Sequence, residues 1–170
     1  MTFISNSHIG MEFDQLGNRV PRMRSMNGNV VFVFGSNEAG RHGLGAAKLA
    51  REKFGAVYGV GVGLRGNSYA IPTKDAELRI LPLERIAQYV ADFVEFAKNH
   101  PELEFNVVEV GCGLARPKHQ TREQRVADIA PMFAGALELS NVFLPKAFGG
   151  KYINSKLGLD SDDWRSEEGF

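Results

Sequence analysis

Four glycines fall within residues 35–45, in the order GSNEAGRHGLG, and two more flank Cys112. Loops of this kind let backbone N–H groups approach phosphate oxygens with no Cβ in the way. A helix that starts behind such a loop adds the positive end of its dipole. The first part of the loop has the spacing of a P-loop, two glycines separated by four residues. Arg41 and His42 stand where that motif needs lysine and a hydroxyl side chain. The γ-phosphate cation and the magnesium ligand are therefore both missing, which excludes the ATPase class. Asn37 has the chemistry to bond a ribose hydroxyl, or is an asparagine tolerated in a left-handed turn. Arg41 and His42 either face a diphosphate or are solvated loop residues. His8, His100 and His119 show no ligand spacing with His42, so no metal site is expected.

Lys74 ends a strand-like run and is followed by Asp75. Most such lysines are solvated. One at the carboxyl edge of a sheet, beside glycine loops, can lose solvation and become nucleophilic towards a sugar aldehyde. Cys112 is the single cysteine, which excludes an internal disulfide and any site with two cysteine ligands. No base adjoins it, so a small buried side chain is expected there rather than a nucleophile.

The elements that must position these residues follow from the apolar pattern. Residues 30–34 (VVFVF) read as a strand buried on both faces, ending at Gly35. A helix is expected over 44–54, with Gly55 as its stop. Strands at 58–64 and 68–71 flank Arg65-Gly66-Asn67, a tight-turn sequence, and residues 72–75 end the second. Pro82 opens a helix over 83–99, whose apolar stripe includes Leu83, Ile86, Val90, Phe93 and Ala97. A strand at 105–110 leads into Gly111-Cys112-Gly113. Thr121 and Gln124 are spaced for a capping box on a helix running towards Leu139, which Pro131 kinks or splits. The last strand is expected at 141–144, and a short one at 2–4. Strands alternating with helices predict an α/β fold of three α/β/α layers around a mixed, mostly parallel sheet. Its single core domain spans residues 29–148, after an unplaced segment 1–28 with arginines at 19, 22 and 24. A polar tail follows at 149–170, expected to be loosely held.

Composition excludes more than it selects. The 170 residues suffice for one domain and a substantial core. Lys plus Arg and Asp plus Glu number 20 each, so no general basic surface for nucleic acid is expected. No apolar run approaches a membrane span, and the start, MTFISNSHIG, lacks the pattern of a secretion signal. With one cysteine, a reducing, cytoplasmic setting is the simplest expectation.

Taken in order, three segments resemble the macrodomain family, and within it the class of the terminal ADP-ribose protein glycohydrolase. His42-Gly43-Leu44-Gly45-Ala46-Ala47 with Phe54-Gly55 is similar to that class's first binding loop and helix. Ser68-Tyr69-Ala70-Ile71-Pro72-Thr73-Lys74 is similar to its strand ending in Thr-Lys, and Gly111-Cys112-Gly113-Leu114 to its second loop. The resemblance covers about residues 30–144. It implies a mixed sheet between helices, with ADP-ribose, free or attached to a macromolecule, in a cleft across the strand ends, and no cofactor. Asn37, Arg41 and His42 belong to that first loop, and Gly43 and Gly45 would lie near the distal ribose. Gly111, Cys112, Gly113 and Leu114 would give backbone contacts to the phosphates. Lys74 falls where the class carries a catalytic lysine that attacks the opened ribose. The class also has an aspartate directly after the second loop, where this sequence has Ala115. Asp75 and Glu38 are then the candidate carboxylates for hydrolysis. Without a carboxylate, the resemblance implies an ADP-ribose-binding module that does not turn its ligand over.

Overall fold

The computed structural model of the chain describes residues 11–13, 19–21 and 29–149. Two short strands, β1 (Met11–Phe13) and β2 (Arg19–Pro21), pair antiparallel. They lie in the segment that the apolar pattern leaves unplaced. The expected strand at 2–4, and all of the 149–170 tail but Gly149, lie outside the described residues.

From residue 29 on, the chain is an α/β fold built on a mixed five-stranded sheet. The elements are β3 (Val30–Asn37), helix α1 (Gly45–Lys53), β4 (Gly63–Arg65) and β5 (Ser68–Lys74). Helix α2 (Leu83–Lys98), β6 (Glu104–Val107), helix α3 (Arg122–Ile129) and β7 (Val142–Phe143) follow. The sheet order is β4-β5-β3-β6-β7, with β4 antiparallel to β5 and every other pair parallel.

Strand β3 lies at the centre because its sequence is apolar at successive positions, and only a strand covered on both faces can hide them all. Val30, Val31, Phe32, Val33 and Phe34 are each 0–2% exposed. Alternation divides them. Phe32 stacks on Phe54, just past α1, with centroids 4.6 Å apart, and Phe34 meets the His42 ring edge-on. Val33 pairs in register with Tyr69 and Val31 with Phe105, and both aromatic rings pack on Phe93 of α2.

Four sequence expectations shift in detail. Strand β3 does not end at Gly35 but runs on to Asn37, paired with Ile71, Pro72 and Lys74 of β5. Residues 58–62 form no strand but fold back on the 38–44 loop, where Gly59 N–H donates to Gly40 O at 2.8 Å. A Cβ on Gly61 would stand 2.0 Å from Asn37 O, so a side chain there could not be accommodated. Strand β6 stops at Val107 rather than 110, because the chain must bend to bring Gly111 into a left-handed conformation. The capping box of Thr121 and Gln124 is present, and α3 ends at Ile129. A 3-10 segment, Ala130–Ala136, continues from there, since Pro131 has no N–H for the α-helical ladder.

Candidate functional site

A cavity of about 250 Å³ opens at the carboxyl edge of the sheet. Gly35, Ser36 and Asn37 reach it from the end of β3, and Thr73 and Lys74 from the end of β5. Val108, Glu109, Val110 and Gly111 line it from the chain leaving β6. Strand β3 is where the sheet order reverses. The connection through α1 leads to β5 on one side of it, and the connection through α2 to β6 on the other. Ligands of open α/β sheets bind outside such a reversal. A register shift between Ser36 and Asn37 makes Asn37 the partner of Lys74, which sets these two residues side by side at the edge.

Two segments with unpartnered backbone amides line this cavity. Helix α1 starts with no side-chain cap, and among the described residues the N–H groups of Gly45, Ala46 and Ala47 in its first turn have no acceptor, while Lys48 N–H reaches Leu44 O. Leu44, Ala46 and Ala47, at that helix start, line the cavity together with Gly43. In the second segment Gly111, Gly113, Leu114 and Ala115 line it, and none of their N–H groups has an acceptor among the described residues. Gly111 has φ +78°, a conformation that favours glycine, and this lets the loop double back on itself.

Behind the second loop lies a residue that the sequence did not mark. Arg125, on α3, is 2% exposed. Its Nε donates to Gly111 O at 2.9 Å and its terminal nitrogen to Ala115 O at 3.1 Å. Burial pushes its guanidinium below the usual arginine range. Among the described residues it forms no ion pair. A buried cation that holds the loop's carbonyls leaves positive charge beneath free amides, an arrangement that favours an anion. In the sequence Arg125 is one polar residue on an amphipathic helix, and nothing in its neighbours marks it.

The structure sorts the residues singled out from the sequence. Lys74 is half-buried and lines the cavity, as do Asn37, Arg41, Gly43, Gly111, Gly113 and Leu114. The Asn37 side chain closes its own loop, accepting from Arg41 N–H and donating to Arg41 O, both at 2.9 Å. Gly45, His42 and Cys112 are buried and do not line the cavity. Cys112 N–H donates to Glu109 O, and its thiol to Val110 O, which leaves the residue a structural part in the loop's turn. Asp75 does not line the cavity either. Its Oδ1 accepts from the N–H groups of Glu77 and Arg79, and its Oδ2 pairs with the Arg79 guanidinium. These bonds, the Arg79 N–H first, hold its carboxyl below the usual range. Glu38 accepts from Tyr89 Oη and from Arg85, the larger and then the smaller cause of its own lowered pKa, and is likewise absent from the lining. The carboxylate that does line the cavity is Glu109, whose partner is Arg122. The sequence hid it inside an expected strand.

His42 supplies a pH dependence. Its side chain is fully buried, with Nε2 3.3 Å from Ser36 Oγ and no partner for Nδ1. Burial lowers its pKa, and Arg51 lowers it further. The unfolded chain therefore takes up this proton more readily than the folded one. Stability should be level above about pH 6.5 and fall as pH drops below that towards the folded-state pKa, by at most about 1.4 kcal/mol per pH unit. Denaturant melts from pH 7.5 down to 5.5 should give that slope, and His42→Gln should flatten it. An equal slope in both proteins would remove His42 as its source.

Among the described residues, no three His, Cys, Asp or Glu side chains are grouped to hold a metal ion, and no helix is long and apolar enough to cross a membrane. No family model matches the chain, and no curated protein or solved structure matches it either.

Proposed function

We propose that the chain binds ADP-ribose or an ADP-ribosyl group in this cavity and hydrolyses an ADP-ribosyl linkage there. The observation that carries the reading is that unpartnered amides from the α1 start and from the 111–115 loop share one cavity with Lys74. Two amide clusters suit a ligand with two linked phosphates or a phosphate and a sugar. The volume lies just below the range of about 300–1,000 Å³ for enclosed ligand sites, so an extended ligand would run along the open mouth. In this reading the fold is the three-layer arrangement of the macrodomain-like class, the two segments are its binding loops, and Lys74 attacks the anomeric carbon of the distal ribose as the acceptor leaves with a proton. Glu109 takes the acid–base role that Ala115 cannot perform.

A second reading, a module that binds without turnover, is favoured by Ala115 itself and by the pairing of Glu109 with Arg122. Calorimetric titration tests the part common to both. ADP-ribose is expected to bind at least about tenfold more tightly than AMP, since only the longer ligand reaches both amide clusters. Equal affinities, or no heat from either, would count against both readings.

A further inference from the structure

Among the described residues, Leu78 is the one residue other than glycine with a left-handed backbone, at φ +66°. Side chains with a Cβ disfavour that conformation. It arises because the chain turns back sharply after β5. Asp75 N–H donates to Arg79 O at 2.8 Å, Leu81 N–H donates to Thr73 O at 3.0 Å, and Lys74 pairs with Ile80. Ala76, Glu77 and Leu78 thus form a three-residue hairpin loop. The last position of such a loop is left-handed and is ordinarily glycine. Here leucine occupies it, and the side chain stays 42% exposed while lining the cavity. Burial within the chain repays little of the strain. Leu44, Tyr58 and Leu114 are also exposed and also line the cavity, so its mouth is apolar while amides gather at the two loops.

We infer that residues 75–79 form a strained clip that holds Leu78 at the cavity mouth as a selectivity contact for an uncharged part of the ligand. Asp75 is its positioning residue. The inference deepens the nucleotide reading above and rests on it for the identity of the ligand. Oδ1 of Asp75 accepts both N–H groups that fix the loop, each at 2.9 Å. An asparagine oxygen can accept the same two bonds, whereas alanine cannot. The Asp75–Arg79 ion pair that asparagine would lose is solvent-exposed on its arginine side, and such pairs contribute little.

Melts and ADP-ribose titrations of the whole chain separate these roles. Leu78→Gly relieves the strain and should melt higher by about 2 °C. It should also bind ADP-ribose about tenfold more weakly, with the same ratio at high salt because the lost contact is uncharged. Asp75→Ala should melt lower and bind more weakly, and Asp75→Asn should restore both properties. A Leu78→Gly protein that binds like wild type overturns the inference. So does an Asp75→Asn protein as impaired as Asp75→Ala, which would return the carboxylate to an acid–base role. If wild type binds no ADP-ribose, the nucleotide reading falls and the melts judge the clip. A raised melting temperature in Leu78→Gly then retains it for a different ligand, and an unchanged one overturns it.

Discussion

Lys74→Ala is expected to lower the release of ADP-ribose from a modified substrate on the order of 10³-fold, while leaving ADP-ribose affinity within about threefold. The two properties separate because they rest on different atoms. In the proposed function binding would draw on the amides of the α1 start and of the 111–115 loop, which the substitution leaves in place. The proposed turnover would need an amine at the strand edge. Lys74 stands there through the register shift that pairs it with Asn37, and its own carbonyl accepts from Glu38 N–H at 2.9 Å, so the backbone around it is fixed. A lysine amine that attacks the anomeric carbon displaces the acceptor, which leaves with a proton; the ribose ring then opens to an imine, and one water hydrolyses that imine to free the amine and the sugar. These steps move protons. Glu109→Gln should therefore slow turnover as well, though less than the loss of the nucleophile, in the range of about 10²–10⁴-fold typical of acid–base groups. The assay is release of ADP-ribose from modified protein or nucleic acid by wild type and both variants. Equal rates for wild type and Lys74→Ala would end the lysine mechanism. A wild type inactive on every linkage, yet binding ADP-ribose, would establish the module without turnover.

Arg125→Met should weaken ADP-ribose binding about a hundredfold and lower stability by about 2–3 kcal/mol. The guanidinium bonds two carbonyls of one loop, Gly111 O and Ala115 O, from a position almost without solvent. Methionine fills much of the volume but donates nothing. Both carbonyls would lose their partner, and the loop from Gly111 to Ala115 would lose the bonds that fix its two ends. The positive charge beneath the loop would vanish too. Arg125→Lys should fail to restore affinity, because a single ammonium on a flexible stem does not replace a planar fork that bonds both carbonyls. Titration with ADP-ribose and a denaturant melt of each variant check this. A Lys variant with wild-type affinity would mean that charge alone matters, and a Met variant with wild-type affinity would move the anion site away from this loop.

Much of the scaffold was legible in the sequence because it depends on short-range pattern. The 30–34 run could only be a covered strand. The 3.6-residue stripe on Leu83–Lys98, the Thr121 capping box and the break at Pro131 each act within one or two turns of chain, and all are where local chemistry puts them. The α/β class, the mixed sheet and the gathering of both glycine segments and Lys74 at one edge followed from the order of those elements. What the sequence could not decide depends on contacts between distant segments. Residues 58–62 have the apolar look of a strand, but their place is taken by packing against Asn37 and Gly40 across the glycine loop. His42 belongs by spacing to a binding loop, yet the ring turns into the core against Phe34 because the chain closes over it. Asp75 is next to Lys74 in sequence, and strand alternation together with a hairpin sends its carboxylate to the turn instead. Glu109 and Arg125 carry no local signature at all. They become part of the site only because β6 and α3 are brought to the same edge, and that is fixed by the burial of Phe93, Phe105, Ile129 and Phe133, a sum over the whole core rather than a property of any one segment.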